Sequence, residues 1–582
     1  MRRHSKIQNA LSTLTAVIWV LGSKCNAFSA TVTKPISAAE IASKQAKAEA
    51  IARSTHDNYA MNALFVNVDE KAKPTPCTIS PDSPTSALPE DLPSGCLLRI
   101  GPNGATKDEG FLDGDGLVHC ITLPPNGAKD REIMYSATYV QTKGRKLERA
   151  RRIKSKENCT FDGTLGAAPQ GIPMLAALFR NGINFGTMDV QKDTCNTALA
   201  VSGDRVLALM EQSPPSEIKI TKEGRMKTVQ SFTRLDGAVP SAPINGGSLG
   251  AHGRTDPETN ERVHVSYNSV ARPFVRVDTF AENWKLASSV GVDVPAPVMV
   301  HDAVLTDHYV VILDFPLTIR PRRFLSNSFP VEYEAEHKAR IGLTPRGAIT
   351  DDTKWFDVEP GVVLHAANAY EREDGTVVVH GFKSIPSGSS SYILDYTPSF
   401  LYEWVVDPSS GKTLNERCLN ADVLVEFPQV EDKVSGRKAA AVYGLVSTSI
   451  GGPMLQFKTP EVGVLLDDVV KFALEDDEIS GVTAGDVIGR FELPEHWHSV
   501  SEPTIVTKTG DNGVYVLVVA TYVPPDNERD HIKVATTKGS MKSQLLVIDG
   551  DCLLEGPVTV VDLPYHVNYG LHSLFLDWDK MK

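Results

Sequence analysis

The sequence predicts an all-β protein built as a closed β-propeller, and three observations support this. Short runs of β-branched and aromatic residues recur along the chain, separated by Gly, Asp, Asn and Pro turns. Long amphipathic helical patterns are nearly absent. After residue 54 more than 500 residues follow without a linker, a low-complexity tract or a break in composition. Runs of about four to eight residues between turn signals mark antiparallel sheet. So many in one unbroken domain favour radial repetition, with a pair of β-sandwiches as the rival.

The strands read in order as "RVLALME" (205–211), "ERVHVSYNSV" (261–270), "HYVVILDF" (308–315), "TVVVHGF" (376–382), "LYEWVVD" (401–407), "GVYVLVVATYV" (513–523) and "SQLLVIDG" (543–550). Turn segments such as "TDPETN", "EREDG", "PSSGKT" and "KTGDN" stand beside them. The best helical candidate is "PMLAALFRNG" (173–182). No WD or kelch signature is visible.

Hydrophobic residues make up 41% of the chain and charged residues 23%, an ordinary globular balance. The formal charge of −13 argues against a nucleic-acid partner, because phosphate binding needs clustered Lys and Arg. Eight Cys are scattered without a Cys-x-x-Cys pair, so they read as small buried residues in a reducing compartment.

The first 53 residues read as a targeting device. A basic start, "MRRHSK", precedes an apolar stretch at 10–22 that is too short to span a bilayer comfortably, then small residues up to a cleavage site after Ala27. Residues 1–27 are therefore expected to be a signal peptide. Residues 28–53, rich in Ser, Ala and Lys, are expected to be a transit-like presequence. This bipartite arrangement resembles that of algae with secondary plastids, so plastid is the expected location and secretion the alternative. Residues 54–582 are expected to form the single folded domain.

Four of the 15 His stand out by their surroundings. His252 precedes a tight turn in "SLGAHGRTDPETNE", and His301 and His365 follow β-branched runs in "VMVHDAV" and "GVVLHAANAYE". His572 sits in "LPYHVNYGLHSLF", near the C-terminus. Each stands where strand meets loop, so each could point into a propeller's axial channel. Their spacings of 49, 64 and 207 residues rule out a local motif, so only the fold could gather them. An all-imidazole site suits Fe, Zn or Cu rather than Mg or Ca. Three carboxylates, Glu211, Glu426 and Glu502, adjoin apolar strands, where a charge is costly without a donor. A metal-bound His commonly donates its other ring N–H to such a carboxylate.

Together these residues resemble the carotenoid cleavage oxygenases, a family that includes stilbene-cleaving dioxygenases and the retinoid isomerase of the visual cycle. The likeness runs from "NYAMNALF" (58–65) to the end of the chain. It is carried by "SGCLLRIGPNGATKDEGFLDGDGLVHCITL" (94–123), "CNTALAVSGDRVLALMEQSPPSEI" (195–218), "GAHGRTDPETNE" (250–261) and "MVHDAVLTDHYVVILDFPL" (299–317). It continues through "WFDVEPGVVLHAANAYE" (355–371), "EFPQVE" (426–431), "SEPTIV" (501–506) and "LPYHVNYGLHSLF".

The resemblance implies a seven-bladed propeller with Fe(II) on its axis, held by His252, His301, His365 and His572. Glu211, Glu426 and Glu502 would orient three of these, and His252 would lack such a partner. Thr197 would lie near the open coordination side, and His119 would be structural. The implied reaction joins O2 to a double bond of a carotenoid or apocarotenoid and yields two carbonyl products.

Ile172, Met174, Leu175, Leu178 and Phe179 match an apolar patch at the tunnel mouth, implying peripheral membrane contact. "GPNG" for Gly-Pro-Asn-Pro, "FLDGDGL" for Phe-Asp-Gly-Asp-Gly-Met and "AHGR" for Ala-His-Pro-Lys depart from the family pattern without touching a ligand. A stilbene-type phenolic substrate, gripped by Tyr139 and Lys143 on one strand, is the alternative. A retinoid-type isomerase or a non-catalytic binding propeller is a further one.

Overall fold

The computed structural model describes residues 37–55, 58–104, 114–124, 132–155, 192–240, 248–320, 331–386, 398–451, 464–510, 513–525 and 541–581, with 179, 182, 183 and 323 besides. Their strands form seven antiparallel sheets arranged as propeller blades, with a two-stranded ribbon (Leu317–Ile319 with Val331–Tyr333) beside the fourth. Blades 2 to 6 are four-stranded meanders beginning at Ala198–Ser202, Gly253–Thr255, Ala303–Leu305, Val362–Glu371 and Val425–Gln429. In each, that first strand lines the axis.

Composition follows position within a blade. Middle strands such as Val377–Ser384 and Val514–Tyr522 are buried almost end to end and read as continuous apolar runs. Outer strands such as Lys412–Asn420 face solvent and carry charge. The turns need residues that tolerate positive φ, and Gly375 (φ 81°) and Gly411 (φ 69°) supply it in "EDGT" and "SSGKT". The predicted turn chemistry is therefore present where the blades reverse.

The two ends of the chain close the ring. Blade 1 consists of Gly95–Asn103, Asp115–Leu123 and Met134–Tyr139. Ser573–Asp577 from the C-terminus is its innermost strand and Lys71–Pro76 its outermost. Blade 7 is built on Thr504–Thr507, Val514–Tyr522, Lys542–Asp549 and Pro557–Asp562, with Thr78–Ile79 from the N-terminal side on its rim. Each closing blade thus borrows a strand from the opposite end of the chain.

Among the described residues, three α-helices of a turn or more lie outside the blades. Helix α1 (Ala38–Ser54) is capped by Ser37 and docks beside blade 6 with Ala52 buried. It is tied there by Lys44 to Asp422 at 2.7 Å and by the Thr55 hydroxyl to the carbonyl of Thr448 at 2.6 Å. A presequence boundary at residue 53 would cut this helix. Helix α2 (Asn58–Leu64) tucks Met61 and Leu64 into the main core. Helix α3 (Lys143–Ser155), basic and polar, showed no apolar period to reveal it. Lys143 therefore begins a helix, whereas Tyr139 ends the strand before it, so the expected shared strand is corrected. The helical candidate at 173–182 falls almost wholly outside the described residues. Among described residues, no helix is long and apolar enough to cross a membrane.

Candidate metal centre

At the axis, His252, His301, His365 and His572 converge, each offering one ring nitrogen within 4.8 Å of the others. His252 directly precedes the inner strand of blade 3, and His301 stands two residues before that of blade 4. His572 directly precedes the C-terminal inner strand of blade 1. The apolar run at 298–300 before His301 is not a strand; Val298 makes only an isolated bridge to Thr318. His365 lies inside its strand, where the pairing slips between Val363 and Ala366. Such a bulge turns a side chain out of its alternation, here toward the axis.

The carboxylates arrive in the same way from the remaining blades. Glu211 follows the second strand of blade 2, Glu426 sits in the inner strand of blade 6, and Glu502 precedes the inner strand of blade 7. Every blade thus sends one residue, four imidazoles and three carboxylates. Glu426 also occupies a bulge, next to Phe427 in the left-handed region (φ 57°). The His365 Nδ1 meets Glu426 at 2.8 Å and the His572 Nδ1 meets Glu502 at 2.9 Å. The His301 Nδ1 is in contact with Glu211. Among the described residues no carboxylate faces His252.

Each carboxylate is itself held. Tyr267 donates its hydroxyl to Glu211 at 2.6 Å, Ser399 to Glu426 at 2.9 Å, and the Gln429 amide to Glu502 at 2.7 Å. The backbone N–H of Ser573 also donates to Glu502 at 2.7 Å. Sequence reasoning missed Tyr267, Ser399 and Gln429. They look like ordinary strand residues, and only the adjacency of blades gives them a role.

Electrostatics follow from burial and these partners. Burial, with the other three imidazoles nearby, holds His252 well below the usual histidine range. Burial also lowers His365, partly offset by Glu426. Burial would lower His301 too, but Glu211 outweighs it and the net direction is up. Burial pushes Glu426 up, but His365, the Phe427 N–H and the Ser399 hydroxyl together more than reverse it, so the net direction is down.

These residues fit a metal ion. A carboxylate accepting from Nδ1 fixes the Nδ1–H tautomer, leaving the Nε2 lone pair turned inward. The Nε2 atoms of His252 and His301 are 3.1 Å apart, and those of His301 and His365 3.2 Å. For His301 and His365, whose Nδ1 atoms face carboxylates, lone pairs facing at that distance repel unless a cation sits among them. About 3 Å is also the separation of neighbouring nitrogens around an ion at roughly 2.1 Å.

A cavity of about 630 Å3 runs along the inner strands and touches His252, His365, His572 and Glu502. The Phe427 ring packs 5.4 Å from His365 and 5.3 Å from His572.

Thr197 stands at the start of the inner strand of blade 2, its hydroxyl donating to Asn196 at 3.2 Å. His119 is buried in blade 1 against the Tyr135 hydroxyl at 2.8 Å, away from the cluster. Tyr139 is bound by Asn103 and covered by Arg145, and the Lys143 ammonium lies over Phe232. Neither Tyr139 nor Lys143 lines the axial cavity. Ile172, Met174, Leu175 and Leu178 lie outside the described residues, whereas Phe179 is 67% exposed.

A sequence profile of the family described as retinal pigment epithelial membrane protein, RPE65, matches residues 72–577. The carotenoid 9,10(9',10')-cleavage dioxygenase 1 of Pisum sativum is 27% identical over 85% of this chain and 86% of its own length. The chloroplastic 9-cis-epoxycarotenoid dioxygenase NCED6 of Arabidopsis thaliana is 25% identical over 84% and 77%. A variant of the Synechocystis apocarotenoid oxygenase superposes with a TM-score of 0.68 at 21% identity, covering 90% of this chain and 100% of that one, a likeness of fold. With a seven-bladed propeller and a profile match over most of its length, the chain belongs to the RPE65 family of carotenoid oxygenases and to its dioxygenase class of oxidoreductases.

Proposed function

We propose that this protein is a non-haem Fe(II) dioxygenase that cleaves a C=C bond of a carotenoid or apocarotenoid. The alkene and O2 are consumed together, each alkene carbon taking one oxygen, so two carbonyl products form and no external reductant is needed. The observation that carries the reading is the inward convergence of four imidazoles, three of them backed by carboxylates at Nδ1. The names of the pea and Arabidopsis relatives support the substrate class.

His252, His301, His365 and His572 would hold the iron. When bound there, it supplies the electron-transfer chemistry with O2 that no side chain provides. The chain does the rest. Glu211, Glu426 and Glu502 keep Nδ1 protonated and the rings aimed. Burial of the cluster and the Phe427 ring keep water from the reacting centre. The exposed Phe179 supports contact with a membrane holding the substrate, and Ile183, 71% exposed nearby in sequence, adds to it. The presequence and the chloroplastic relative support a plastid location.

The test is to load the protein with Fe(II) without air, then add carotenoids, apocarotenoids or stilbenes in air and identify products by mass spectrometry. Paired carbonyl fragments of a polyene are expected. No cleavage of any polyene by iron-replete protein would sink the proposal, and cleavage of stilbenes alone would move the substrate class.

A further inference from the structure

Four imidazoles that repel one another need a scaffold that keeps them together before any ion arrives. A propeller does not supply this through its sheets, because inner strands of neighbouring blades are not hydrogen-bonded to each other. The register of one ligand against the next depends on side chains that bridge blades. One bridge stands directly behind three of the four His.

Arg254, two residues after His252, donates one guanidinium nitrogen to Asp302 at 2.8 Å and to the carbonyl of Ala366 at 3.0 Å. Asp302, the residue after His301, is buried and accepts from the N–H of Ala366 at 3.1 Å and of Ala303 at 2.7 Å. Ala366 is the residue after His365. Two side chains and the backbone N–H and C=O of one residue therefore close a triangle across blades 3, 4 and 5, each corner within two residues of an imidazole. Arg254 and Asp302 also line the axial cavity that reaches His252 and His365.

We propose that Arg254 and Asp302 form a positioning clasp that sets the mutual register of His252, His301 and His365 and so governs how tightly the metal is kept. The inference rests on reading the four imidazoles as the metal centre. It gives His252, which no carboxylate faces among the described residues, an anchor of another kind: its backbone is pinned through Arg254. The bond pattern also states what each residue must provide. Asp302 needs a charged oxygen that can serve both the cation and the Ala366 N–H. Arg254 needs a cationic nitrogen with two hydrogens to share, which a lysine ammonium also offers.

The experiment compares full-length wild type, Arg254→Lys, Arg254→Gln, Asp302→Asn and the double variant Arg254→Gln/Asp302→Asn, each loaded with Co(II). Release to excess chelator and the visible ligand-field bands are followed, with the unfolding temperature of each metal-free protein as the fold control. Arg254→Gln and Asp302→Asn should release the ion at least about tenfold faster with shifted bands. Arg254→Lys should stay within about twofold of wild type with its spectrum intact.

The double variant leaves no lone buried charge, so it keeps the comparison available should a single variant fail to fold. It too should release the ion fast. Folded Gln, Asn or double variants with wild-type release and spectrum overturn the clasp, as does an Arg254→Lys protein as leaky as Arg254→Gln. Wild type that takes up no Co(II) overturns the metal-centre reading itself, which separates the two failures.

Discussion

At the residue scale the site is a set of donors, each with one job. His301 bridges the cluster, its Nε2 within 3.2 Å of both His252 and His365. His301→Ala is therefore expected to abolish stoichiometric iron binding, measured as metal content after desalting. Glu426→Gln should cost about 10–100-fold in metal affinity or cleavage rate, since an amide holds the ring of His365 less firmly than an ionised carboxylate. The imidazoles were legible in the sequence because apolar surroundings make a titratable group conspicuous. The partners of Asp302, 48 and 64 residues away, were not legible. Tyr267, Ser399 and Gln429 were illegible, since a hydroxyl or amide on a strand reads as an ordinary polar face until its neighbour blade is known.

At the element scale the blades carry their own electrostatics. In blade 5 a cross-strand ladder pairs His380 with Glu403 and Glu403 with Arg417. Burial alone would push Glu403 up, but hydrogen bonds from His380 and Arg417 hold it down at about 2. A depressed carboxylate stabilises the fold fully above its ordinary value of 4.5, and that contribution is lost as pH falls toward 2. Urea unfolding should therefore show an acid limb in this window that Glu403→Gln makes shallower. Helix α1 belongs to the same scale. A chain beginning at Ser54 loses the buried Ala52 and the tie of Lys44 to Asp422. Its unfolding temperature should fall by a few degrees, about 1–2 kcal/mol of lost packing and pairing. Composition reads this segment as presequence because it is rich in Ala, Lys and Ser, and composition carries no sign of the face on which the helix docks. The bulges at His365 and Glu426 were equally hidden, since nothing in an apolar run announces where pairing will slip.

At the scale of the whole molecule, what matters is closure. Arg99, in blade 1 and 1% exposed, reaches the carbonyl of Val500 at 3.0 Å and that of Asn568, tying the entry to blade 7 to the segment leading into His572. The N–H of Ile100 bonds the carbonyl of His572 at 3.0 Å. Arg99→Met would leave the Asn568 carbonyl without its donor in a dry interior, while that of Val500 keeps the N–H of Gly570 at 2.7 Å, and should cost about 1–3 kcal/mol, read from denaturant unfolding. The interlocked ends were not legible: strands from opposite ends of a chain share no local pattern that names them as partners.

The contribution of one residue from each blade has a thermodynamic corollary. Because the four imidazoles come from blades 1, 3, 4 and 5 and the carboxylates behind three of them from blades 2, 6 and 7, an ion held there would favour the closed molecule, and its binding free energy would add to the free energy of closure. Metal affinity then acts as a gauge of the integrity of the entire circle. Damage to a blade far from the axis would then read out as a leakier site, and a saturating ion would return stability to blades it never touches.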